Sequence, residues 1–196
     1  MDSMDPKYEM TGETVVTLSD VTLHRIRALR SFGAVRAGDL GGFIEAERNL
    51  SHDGLCWVFG DGRVSGDGRV SGNGRVFGNG QVFDAGRVFD NGQVFGNGRV
   101  FGNGWVFGDG QVFGDGWVSD IPPAATRSDG YTFLILRDAA NRCVVTAGCR
   151  YFSLADAREH WIRTRGGTPL GDESLAILDH LERMARIRGM IPQPTE

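Results

Sequence analysis

Four histidines and three cysteines are the side chains best suited to acid–base, nucleophilic or metal chemistry: His24, His52, His160, His180, Cys56, Cys143 and Cys149. A catalytic zinc of the three-histidine kind needs those rings to converge, and residues 58–118 contain no histidine at all. Cys143 and Cys149 do not have a zinc spacing, and they read as core thiols. An odd cysteine count with no secretory signal at the polar, acidic N-terminus points to reduced thiols in a cytoplasm. The Gly-rich middle lacks the Lys-Ser/Thr ending of a phosphate loop. Asn73, Asn79, Asn97 and Asn103, with Asp61, Asp67, Asp109 and Asp115, fall at repeated corners, where turn chemistry accounts for them without calcium. A Ser-His-Asp set can be drawn in many ways, so none is meaningful. The sequence therefore assigns no catalytic residue, no metal and no cofactor.

What could position chemistry is a repeat. Val falls at 58, 64, 70, 76, 82, 88, 94, 100, 106, 112 and 118 without a slip, giving ten full hexads. Gly stands four residues after each of the first ten. A strict period of this kind means a solenoid. In a short strand neighbouring side chains alternate, so Val points in and its two neighbours point out. The G-N/D-G stretch makes a corner where Gly and Asn tolerate positive φ. Three such sides, one hexad each, close a triangular coil. The expected fold is mainly β: a parallel β-helix with an N-terminal β cap and a small C-terminal ββαα module. The expected segments are 1–57 for cap and leader, 58–120 for the solenoid, 121–130 for a linker, 131–190 for the module and 191–196 for a tail.

Stacking every third hexad makes outward ladders. Phe59, Phe77, Phe95 and Phe113 share the first face, Phe101 lies on the second, and Phe107 on the third. Arg99, Trp105 and Trp117 stand beside them in the later turns. A Phe buries about 150 Å² or more, so four in a ladder approach the ~800 Å² per partner of a standard interface. These nine residues are the expected partner-binding set, with mutual stacking as the structural alternative. Before the repeat, Ile44 and Leu50 are six apart and begin a degenerate coil, while Leu50 to Val58 holds two inserted residues. After it, Thr132–Leu136 and Cys143–Ala147 read as a hairpin, Ser153 starts a short helix, and Asp172 to Arg188 reads as a second. Leu175, Leu178 and Leu181 on that helix form a stripe that is either core or the seam of a dimer or trimer.

The hexads resemble those of the hexapeptide-repeat, left-handed parallel β-helix family, and the left-handedness is implied by that resemblance. The usual motif places a small or acidic residue after the aliphatic one, where this chain has Phe or Ser. Such helices are often acyltransferases with a histidine base beside a coil, and His52 is the nearest histidine. The leader LHRIRALRSFGAVRAGDLGGFIEAERNLSHDGLCWV, running into the hexads, resembles a family found largely in bacteriophages and prophages. The tail TFLILRDAANRCVVTAGCRYFSLADAREHW resembles a small domain recurring in phage proteins. This resemblance implies a protein made inside an infected bacterium.

Net charge is −4 and is spread along the chain, so neither a direct nucleic-acid binder nor a DNA mimic is indicated. No apolar run approaches the ~18 residues of a membrane span. The expectation is a non-enzymatic, cytoplasmic protein that binds a host bacterial protein complex. By analogy with small phage proteins it would be a steric inhibitor of host defence, anti-CRISPR-like. The rivals are a virion or tail-associated structural part and a hexapeptide-repeat acyltransferase.

Overall fold

The computed structural model describes residues 5–193; the first four residues of the N-terminal segment and the last three of the expected tail lie outside the described residues. Three longer strands come first: β1 (Tyr8–Val16), β2 (Thr22–Ala28) and β3 (Leu40–Ile44). They pair antiparallel in order. Eleven two-residue rungs follow, from Trp57–Val58 to Trp117–Val118, each ending in a hexad Val. The rungs pair in parallel with partners three hexads away, such as Gln93 with Arg75 and Gln93 with Gln111. The chain is thus a β-solenoid of three-hexad coils, as its period demands.

Each feature of the hexad has a separate physical task. The Val side chains fill the axis, and Val58 through Val118 are at most 4% exposed. From Phe59 to Phe101, the residue after each Val donates its N–H to the Val carbonyl of the next coil, as Phe77 does to Val94 at 2.8 Å. The corner closes when the later Gly donates back to that same residue, as Gly80 does to Phe77 at 2.9 Å. The two Gly of a hexad differ. The earlier one takes positive φ, and Asp84 and Asp90 hold the same conformation (φ 53° each) where Gly is replaced. The later one is required by space: a Cβ on Gly98 would sit 2.5 Å from the Val112 carbonyl oxygen. Corner side chains stack as well. Asn73 donates to Asn91 and Asn91 to Asp109, both at 3.1 Å. Asn79 donates to Asn97 and Asn97 to Asp115. Both ladders end on Asp, which in its ionised form only accepts.

Both ends of the solenoid are closed by the chain itself. At the N-terminal end Ile44 pairs with Val64 and Leu50 with Val70. Both pairings step over three hexads plus the insertion, so the two inserted residues are absorbed in the first, degenerate coil. Lys7 is fully buried there and donates to the Cys56 carbonyl (3.0 Å) and the Asp53 carbonyl (3.3 Å). Burial lowers its pKa and raises that of the neighbouring Cys56 thiol. At the other end stand β4 (Ala124–Thr126), β5 (Thr132–Arg137), β6 (Cys143–Ala147) and β7 (Arg150–Phe152), then α1 (Leu154–Arg165) and α2 (Pro169–Ile187). Trp117 pairs antiparallel with Arg137, so β5 extends the second face. Alternation along β5 sends Leu134 and Leu136 onto the solenoid core and Phe133 and Ile135 into a second core under the helices.

The C-terminal module differs in detail from the expected ββαα unit. It has four strands, because β4 pairs with β5 inside the stretch read as a linker. Its second helix begins at Pro169 rather than Asp172, since Thr168 caps Gly171 N–H at 3.1 Å and Pro suits the first helical position. Cys149 is exposed between β6 and β7 rather than a core thiol.

The two Gly classes give a direct test. Gly98→Ala should destabilise by about 1–3 kcal/mol, the usual range for overpacking. Gly78→Asn, at a positive-φ corner where a Cβ would make only ordinary contacts (nearest atom 3.7 Å), should cost less than about 1 kcal/mol. Denaturant unfolding of both variants measures the difference; equal losses would contradict the separate roles.

Candidate interaction surface

Phe rings three hexads apart stack in pairs, as the coil length requires. Phe59 stacks on Phe77 (4.7 Å between centroids), Phe95 on Phe113 (4.9 Å), Phe83 on Phe101 (5.1 Å) and Phe89 on Phe107 (5.7 Å). All eight rings are half-buried. Each stacked pair hides one broad surface of both its rings, and the first-face ladder consists of two such pairs, Phe59–Phe77 and Phe95–Phe113. The first-face ladder also runs under the C-terminal module, where Phe113 meets the edge of Tyr151 at 5.5 Å. Trp117 is committed as well: its indole N–H donates to the Asp138 carbonyl at 2.8 Å. Arg99 is exposed. The nine expected partner-binding residues therefore do not form one site. They divide among three faces, and two of them, Phe113 and Trp117, also hold the C-terminal cap.

The third face is different. It has only three rungs, with Arg69, Arg87 and Trp105 in one outward ladder. Ser71 replaces Phe in its first turn, and an open cavity of about 750 Å³ lies there. Phe89 and Trp105 line it on one side, and Leu50, Ser51 and His52 on the other. Arg87 lies over the Trp105 ring at 5.6 Å, and Phe89 meets Trp105 edge-on at 5.8 Å. Glu47, Arg48 and Asp90 complete the charged lining. Arg48 is paired with Glu45 and Asp67. Arg69 and Arg87 have no carboxylate partner among the described residues.

His52 enters this rim, and its bonding decides which proton it carries. Its Nδ1 accepts the Lys7 backbone N–H at 3.0 Å, and its ring stacks on Tyr8 at 4.3 Å. An Nδ1 that accepts leaves the neutral imidazole's proton on Nε2. The free nitrogen then donates, the opposite of what a general base needs. Among the described residues no three His, Cys, Asp or Glu side chains gather in a way that could hold a metal, and no helix is long and apolar enough to cross a membrane.

Period six places Arg69, Ser71, Arg87, Phe89, Trp105 and Phe107 on this face; what it does not reveal is the cavity there and the approach of His52 to it. The available signal was Ser71, a gap in an otherwise aromatic ladder. The α2 stripe is corrected in another way. Leu178 and Leu181 are fully buried in the module's own core, and Leu175 packs against it half-buried. At Leu178 and Leu181 the stripe is core, where α2 packs on α1, β4 and β5. No protein-family model matches the chain, and neither does any curated protein.

Leu181→Ala should therefore cost about 2–5 kcal/mol of stability and leave the association state unchanged. Thermal unfolding with light scattering measures both; a stable variant with altered mass would restore the seam.

Proposed function

We propose that the protein is a non-enzymatic interaction protein whose third solenoid face receives an acidic segment of a partner. The observation that carries this reading is the open cavity at Ser71, where the unpaired Arg69 and Arg87 stand beside Phe89 and Trp105. Arginine beside aromatic rings is the composition of interface hot spots, and an arginine without an internal carboxylate is free to bind one bidentately. The solenoid supplies rigidity, which limits the ordering cost of binding. From the phage resemblance of the leader and tail, we infer that the partner is a host bacterial protein complex, met in the cytoplasm of the infected cell. Inhibition of a host defence complex by steric occupation of its surface is the mechanism proposed. The position of the His52 proton weighs against the acyltransferase reading.

Affinity purification from the infected host, followed by mass spectrometry, tests this. The wild-type protein should retain a bacterial complex, and Arg69→Glu/Arg87→Glu should weaken retention at least tenfold while the thermal midpoint stays within a few degrees. Retention that survives the double change would overturn the assignment of the face. Turnover of an acyl-coenzyme A that is lost in His52→Ala would overturn the non-enzymatic reading, and recovery of the chain in purified particles would favour a virion part.

A further inference from the structure

A second cavity, of about 280 Å³, lies on the C-terminal module away from the solenoid faces. It is lined by Arg127, Tyr131, Arg150, His160, Trp161 and Arg165 among others. Its hydrogen-bonding inventory is one-sided. Arg127 is 3% exposed, and its charge is neutralised by a two-point pair with Asp129 (2.9 and 2.8 Å) and a bond to Ser174. Asp129, the one carboxylate in the lining, is engaged by that pair and by the Tyr131 N–H at 3.3 Å. The Tyr131 hydroxyl donates to the Ala147 carbonyl at 2.5 Å, and the Thr164 hydroxyl to the His160 carbonyl at 2.7 Å.

Of the groups left over, the indole and two guanidiniums can only donate. Trp161 is 3% exposed, and its indole N–H is buried with no acceptor. His160 Nε2 is likewise buried without a partner. Arg150 reaches only the Tyr131 hydroxyl, at 3.3 Å. Neither Arg150 nor Arg165 has a carboxylate partner among the described residues. The indole is flanked by two guanidiniums, Arg127 at 5.0 Å and Arg150 at 5.8 Å from its ring. Only the first of these charges is compensated. A buried donor without an acceptor costs about 1–3 kcal/mol, and indole and guanidinium can only donate.

We propose that this cavity binds a phosphate group. A ligand made of acceptors satisfies the indole N–H, meets His160 Nε2 in the tautomer that carries its proton there, and neutralises Arg150 and Arg165 at once. Two uncompensated guanidiniums and a buried indole N–H suit a dianion with several oxygens better than a single carboxylate. The volume leaves room for the first atoms of whatever carries the phosphate. This site shares no residue with the third-face cavity and stands independently of the proposed function.

The test is a titration of the full chain with inorganic phosphate, followed through the tryptophan indole N–H signals in ¹H–¹⁵N spectra at constant ionic strength. Trp161→Phe assigns the signal. The Trp161 N–H should move saturably with phosphate, acetate should not reproduce the shift, and Arg150→Gln should weaken binding at least tenfold. Arg150 and Arg165 are both exposed, so Arg165→Gln serves as a second variant should the first fold poorly. No saturable shift, an equal response to acetate, or binding unchanged in both variants would overturn the proposal.

Discussion

Each coil hangs from the next by backbone hydrogen bonds between residues that stand three hexads apart in register. That ladder is the constraint on which the rest depends. It fixes the coil length, because a residue gained or lost inside a coil would leave a row of buried N–H and carbonyl groups unpaired. It brings the Val side chains into one column, and it brings the later Gly of seven hexads, Gly68 to Gly104, so near a Val carbonyl of the next coil that a methyl does not fit. Irregularity is therefore confined to places where the ladder tolerates it. The two-residue insertion sits in the first coil, and the replacement of Gly by Asp occurs only at the positive-φ corner. The outward positions are released from the constraint. Phe, Ser, Arg, Gln and Trp all occur there without disturbing the axis, and such positions can be spent on recognition.

The parts of the fold legible in the sequence are those this ladder controls. Period six with in-phase Val yields the three faces, the three-hexad register and the core. The six-residue step from Ile44 to Leu50 and the eight-residue step to Val58 mark where the cap meets the solenoid. What was not legible depends on contacts between distant segments. Ala124–Thr126 has no strand pattern of its own and becomes a strand only because β5 offers it an edge. Arg127 looks like a linker residue until Ser174, 47 positions away, supplies its partner. Leu178 and Leu181 form a stripe whose burial depends on α1, β4 and β5, none of which the helix's own pattern reveals. The cavity at Ser71 is a gap in a ladder, and a gap becomes a site only when Leu50, Ser51 and His52 are seen to overhang it.

The two caps shape function as well as stability. A parallel solenoid has open ends that invite growth by strand pairing. Here β3 covers one end and β5 the other, so the second face is continued by the chain itself. The C-terminal module also meets the first face through Tyr151 and Phe113. The third face is left with three rungs, two unpaired arginines and a notch. On this account the Phe ladders stiffen the rod, and recognition is concentrated where aromatic stacking is interrupted.

Hydroxyl-radical footprinting of the protein with and without its captured partner tests this central claim most directly, since aromatic side chains report protection individually. The account predicts that Trp105 and Phe89 become protected in the complex, while Phe59, Phe77 and Phe95 react as they do in the free protein. Protection of the first-face ladder with Trp105 unchanged would contradict it.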